Sequence, residues 1–115
     1  MKKLKQWEIL VPTHTNDGKK ITLEHHKEWD AFVQKLTNGL TIQKPSKGYW
    51  LSVEKVNFVE EMIPVKIYCS KKKIKKISDF TAMHYRQLAV TFYLTSKEGY
   101  IVDYDEDFKR VKKET

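Results

Sequence analysis

A single cysteine, Cys69, stands in 115 residues, and only two of the 22 basic residues are arginine, Arg86 and Arg110. The lone thiol excludes an internal disulfide, so nothing points to an oxidising compartment. The scarcity of arginine removes most of the bidentate recognition of phosphates and base edges on which nucleic-acid readers rely. Apolar runs fall far short of the ~20 residues that span a bilayer. The basic start, Met1 to Trp7, has no apolar stretch of signal-peptide length and no small-residue cleavage site. A cytoplasmic protein with no membrane partner is therefore expected. Catalytic signatures, nucleotide loops and solenoid repeats are missing as well, and no cofactor is expected.

What is present suffices for a packed core: 40% hydrophobic and 12% aromatic residues. The formal charge is +7 and the pI about 9.4. The cations concentrate before residue 103, whereas Asp103 to Thr115 carries four basic and five acidic residues. One domain over residues 1–102 with a charged tail over 103–115 is the expected organisation.

The first strand reads Trp7 to Val11 and ends at Pro12, which removes a ladder donor. Asn16-Asp17-Gly18 signals a turn. Thr22 is placed to cap a helix whose apolar positions are Leu23, Trp29, Phe32, Val33 and Leu36, with Asn38-Gly39 closing it. Leu40-Thr41-Ile42 and Tyr49 to Val53 form an interrupted strand, broken at Pro45 to Gly48 as suits a sheet edge. Ile63, Val65, Ile67 and Cys69 alternate with Lys66 and Tyr68, the two-residue period of a strand. Ser70 caps a second helix with Ile74, Ile77, Thr81, Tyr85 and Leu88 on one stripe. Ala89 to Thr95 is a strand, Ser96 to Gly99 a turn, and Tyr100 to Val102 a short strand pairing back.

The order βαββαβ, with one apolar stripe per helix, predicts a ferredoxin-like α+β architecture: two helices on one face of an antiparallel sheet, with the third strand between the first and second. The other face is left open. Trp7, Trp50, Tyr68 and Tyr93 are expected on it, and a homodimer covering that face is the expected association. The motifs Trp29-x-x-Phe32, Thr37-Asn38-Gly39-Leu40-Thr41, Gly48-Tyr49-Trp50 and Tyr85-x-x-x-Ala89-Val90 resemble small bacterial α+β proteins of ferredoxin-like type. That resemblance spans residues 7–102 and implies the fold; the group brings no established activity with it.

Two regions carry candidate chemistry. Lys71, Lys72, Lys73, Lys75 and Lys76 crowd the start of the second helix, where the helix dipole is already positive. With the first-turn N–H groups they make an anion-binding surface for nucleic acid or an acidic protein, or else a solvated face neutralised by Asp103 to Asp107. At the opposite end the topology gathers His14, His25, His26 and His84 near Tyr85, Asn16 and Asp17. There His14 or His84 could act as a general base with Tyr85 as proton donor, giving a small-molecule enzyme or sensor. Adjacent His25 and His26 point about 100° apart on a helix, so no metal site is expected, and the histidines read as solvated. Cys69 reads as a buried small residue rather than a nucleophile. A non-enzymatic binding protein for an anionic partner is the expected function.

Overall fold

A computed structural model describes residues 2–37, 39–51, 57–102 and 104–111. The elements run β1 (Lys2–Pro12), α1 (Leu23–Leu36), β2 (Leu40–Ile42), β3 (Ser46–Leu51), β4 (Asn57–Tyr68), α2 (Lys71–Tyr85) and β5 (Phe92–Ile101). Every described pairing is antiparallel and the sheet order is β2-β4-β1-β5. β4 thus lies between β1 and β2, as the right-handed crossover rule requires.

The interruption after Ile42 has a structural purpose. β2 pairs with Val65–Ile67 and β3 with Asn57–Met62, so two short strands share the outer edge of β4. Between them the Gln43 N–H donates to the Pro64 carbonyl at 2.9 Å, keeping the chain on that edge.

Alternation decides which face is covered. Trp7, Ile9 and Val11 of β1, with Val65 and Ile67 of β4 and the adjoining Cys69, are buried against Trp29 and Val33 of α1 and Ile74, Ile77 and Tyr85 of α2. Both helices therefore lie on one face. Trp29, 1% exposed, donates from Nε1 to Thr81 Oγ1 at 2.9 Å, and Thr81 donates in turn to the Ile77 carbonyl at 2.6 Å. That chain satisfies the polar atoms that two buried side chains bring into the core.

Several expectations are corrected. Trp7 does not lie on the open face: it shares the odd-numbered register of Ile9 and Val11, is 7% exposed, and donates from its indole to the Cys69 carbonyl at 3.0 Å. Tyr68 and Tyr93 do lie opposite the helices, paired beside Gln6 and Glu8. The Trp50 side chain falls outside the described residues. Leu23 and Leu88 are exposed rather than core: the one sits in the first turn of α1, the other beyond the end of α2. α1 ends at Thr37, whose hydroxyl and N–H both reach the Val33 carbonyl, one residue before the expected Asn38, which lies outside the described residues.

The expected turn at Ser96 to Gly99 does not form. β5 runs through it in contact with β1, with Gln6 opposite Ser96 and Leu4 opposite Gly99. The register slips twice there, so β5 carries extra residues as bulges. Ser96 Oγ accepts from the Glu98 N–H and donates to the Glu98 carbonyl, giving the bulged backbone the partners it loses from the ladder. A Ser-x-x-Gly sequence suits a bulge as well as a turn, because both need a local side-chain partner for the backbone.

Candidate ligand-binding cleft

The site begins at the turn after β1. Thr15 accepts from Gly18 and Lys19 and donates to Asp17, while Gly18 takes φ +84°, which a side chain would strain. Its neighbour Asn16 donates from Nδ2 to the Arg86 carbonyl at 3.0 Å, tying this turn to the end of α2. Thr22 accepts from the His25 N–H as the α1 cap. α2 ends at Arg86, in the left-handed region at φ 53°, where its N–H reaches the Ala82 and Met83 carbonyls.

The Trp29–Thr81 bond fixes the helices in antiparallel register and brings His25 of α1 over His84 of α2. Their rings stack at 3.8 Å, 8° from parallel. His25 Nε2 donates to the His84 carbonyl and His84 Nε2 donates to the His25 carbonyl, both at 2.7 Å. A carbonyl only accepts, so both rings carry their proton on Nε2. Tyr85 meets both rings edge-on and its hydroxyl shares a 2.7 Å hydrogen bond with His26 Nδ1. Burial raises the Tyr85 phenol far above its ordinary value, and Asp30 pushes it the same way, so it stays protonated. Burial lowers His26, against the pull of Asp30 and with the push of His25 and His84.

Around these groups lies an open cleft of about 610 Å³, lined by Thr15, Asn16, Asp17, Lys19, Lys20, Ile21, Thr22, His25, His84, Tyr85 and Arg86. Such a volume suits a small molecule. Among the lining residues three fixed cations stand against one carboxylate, with Glu28 beside His25 and His84.

Of the expected residues, His25, His84 and Tyr85 converge. His14 does not: it is exposed, takes a 2.7 Å hydrogen bond with Thr13 Oγ1 at Nδ1, and borders an adjoining hollow of about 410 Å³ with Glu60 and Glu61. The expectation of solvated histidines fails for His84, whose side chain is 9% exposed. Lys71 to Lys76 lie at the far end of α2, about 20 Å away along a helix of this length. All five lysines are exposed, and no ion pair found among the described residues involves them. Within the described part of the segment expected to neutralise them, Asp105 accepts from the Asp107 and Lys109 N–H groups. Burial pushes the Cys69 thiol up to about 11, partly offset by Lys73, so it is a protonated core residue.

His25, Glu28 and His84 bring one donor atom each within 4.8 Å. They are not a preformed metal site. Parallel rings 3.8 Å apart cannot both aim in-plane lone pairs at one ion. Binding an ion there requires one ring to rotate out of the stack and give up its own cross-helix bond.

No protein family's sequence profile matches the chain, and no curated protein matches its sequence. Solved structures do match. The periplasmic divalent cation tolerance protein CutA from Archaeoglobus fulgidus is similar with a TM-score of 0.61 and 13% identity, over 85% of this chain and 87% of CutA. A phage SAM lyase in complex with S-methyl-5'-thioadenosine is similar with a TM-score of 0.62 and 15% identity, over 82% of this chain and 81% of the lyase. The fold is ferredoxin-like. At these identities the likeness is one of architecture, and the ferredoxin-like frame leaves the site to be read from this chain's own residues.

Thr22, Lys19, Lys20 and Arg86 line the cleft although the sequence pattern does not mark them as its residues. The Asn-Asp-Gly turn signalled that Lys19 and Lys20 would flank a loop at this end. Nothing in the spacing signalled that His25 and His84, 59 positions apart, would stack.

Proposed function

We propose that the protein binds a small anionic molecule in the cleft between the start of α1 and the end of α2. The observation that carries this reading is the excess of Lys19, Lys20 and Arg86 over Asp17 around a cleft of ligand size, beside the α1 cap. The Leu23 and Glu24 N–H groups have no partner within the helix and add donors of the same polarity. It unites the two functions the sequence suggested, an anionic partner and the histidine-bearing end. The phage lyase holds a small molecule in a similar fold, which makes nucleoside-sized probes a sensible choice. The test is calorimetric titration with ribose 5-phosphate and with citrate. Binding by either that weakens at least ten-fold in Arg86→Asn supports the reading, since asparagine tolerates the left-handed cap and removes only the charge. No binding by either anion, or binding indifferent to Arg86→Asn and Lys20→Gln together, overturns it.

A second reading rests on the five exposed lysines at the start of α2, which would track an acidic polymer. Affinity for single-stranded RNA should then fall steeply with salt, and fall further in Lys71→Glu/Lys72→Glu. A flat salt series removes this reading without touching the cleft. Self-association through the open sheet face, and a cytoplasmic location for a protein with one buried free thiol, complete the proposal. No helix of the described residues is long and apolar enough to cross a membrane.

A further inference from the structure

The His25–His84 pair is the end of a longer column. Phe32 of α1 stacks on Phe80 of α2 at 3.9 Å and 11°. Phe80 lies 5.1 Å from His84 and 17° from parallel, and His84 stacks on His25 at 3.8 Å and 8°. Four rings from two helices therefore run near-parallel from the flank of the core to the cleft. Phe32 and Phe80 are half-buried, His84 is nearly closed off, and His25, with 40% of its side chain exposed, is the last ring and lines the cleft.

From this we infer that the ligand is a planar heteroaromatic ring carrying an anionic group, its ring stacking on His25 as the fifth member of the column and its anion held by Lys19, Lys20 and Arg86. The inference rests on the cleft being an anion site and adds the chemical class of its occupant. Three features support it. The reciprocal Nε2–H bonds lock both imidazoles in place, so His25 presents a fixed plane and loses little freedom when a ring settles on it. The same bonds consume the Nε2 donors, so the ring contributes a face rather than a hydrogen-bond donor. Tyr85 meets His25 at its edge, 77° from parallel, and leaves the stacking direction to the ligand. A π-face accepts any flat base, which suits recognition by ring shape with charge supplying the remainder of the affinity.

The test compares AMP and CMP with ribose 5-phosphate, which shares their anion and lacks the ring. Titrations use the wild-type chain, His25→Ala and His25→Phe. The expected result is that a nucleotide binds at least ten-fold more tightly than ribose 5-phosphate, that His25→Ala erases the difference, and that His25→Phe keeps it. Retention in the phenylalanine variant separates a lost stacking face from a lost fold. Equal affinity of nucleotide and sugar phosphate overturns the ring inference while the anion reading stands. A nucleotide preference that survives His25→Ala overturns it too, because the base then lies elsewhere. No binding by any of the three removes both.

Discussion

Two residues in the core depend on each other as well as on the apolar packing around them. Trp29 is 1% exposed and Thr81 is fully buried, and the indole N–H has the threonine hydroxyl as its partner. Thr81→Val keeps the shape and strands that donor, a loss of about 1–3 kcal/mol in urea unfolding, whereas Trp29→Phe with Thr81→Val should cost less than the two single changes added. His26 ties stability to pH. Its folded-state value lies below its ordinary 6.5 because burial disfavours the charged ring. Between the two values the unfolded chain binds the proton and the folded one does not, so stability rises with pH across that window. Thermal unfolding followed from pH 8 to pH 5 should show the midpoint falling as pH drops below about 6.5, with a shallower fall in His26→Phe. A profile identical in the variant would assign the acid sensitivity to other groups. Neither dependence is written in local sequence: Thr81 reads as one more position on an apolar stripe, and its hydroxyl acquires a purpose only when Trp29 arrives across the helix interface.

Local signals were dependable for helices and less so for strands. Thr22 and Ser70 cap α1 and α2 as their side chains suggest, and the 3.6-residue stripe names Trp29, Val33, Ile74, Ile77, Thr81 and Tyr85 correctly. Strand limits depart from the sequence pattern at Ser96 to Gly99, where a bulge and a turn share the same chemistry, and at β1, which begins at Lys2, ahead of the apolar run from Trp7. α2 itself carries a conflict. Lys71, Lys72 and Lys73 occupy its first turn, with no acid there to complement the dipole. Lys72→Glu should therefore raise stability by about 0.3–1 kcal/mol at low ionic strength, an effect that 1 M salt erases, and the same change should weaken any binding of a polyanion. A destabilised Lys72→Glu variant would mean that the lysines already have partners. A related tension sits in the turn at Asp105 to Lys109, which repeats the hydrogen bonds of Thr15 to Lys19. Asp105 N–H donates to the Lys109 carbonyl at 2.8 Å, as Thr15 N–H does to Lys19 at 2.7 Å. Phe108 takes the left-handed place of Gly18, at φ 60°. Phe108→Gly should relieve about 1 kcal/mol of strain and slow hydrogen exchange at the Lys109 amide.

At the scale of the whole molecule, the fold could be read and the site only in part, for one physical reason. Strand and helix order follows from patterns two to four residues long, and that order with the crossover rule fixes which ends meet. It placed His14, His25, His84 and Tyr85 at one end of the sheet. Which of them touch depends on helix register set by Trp29 and Thr81, and on a turn geometry that leaves His14 outside the cleft. The open face follows the same division. Alternation assigns Tyr68 and Tyr93 to it, while the identical rule sends Trp7 inward. Tyr68 is already engaged, accepting from Gln6 Nε2 at 2.9 Å, but Tyr93 is 46% exposed on the face that no helix covers. Exposed aromatic area on an uncovered sheet face is best covered by a second copy of the same face, because a two-fold axis lets one patch serve as both halves of the interface. Light scattering at high micromolar concentration should then give twice the 13.7 kDa of one chain, and Tyr93→Asp, which sets a second carboxylate beside Glu8 on each copy, should return the single-chain mass. A monomer in the wild type removes the sheet face as a self-association surface. A dimer that withstands Tyr93→Asp places the interface away from that face.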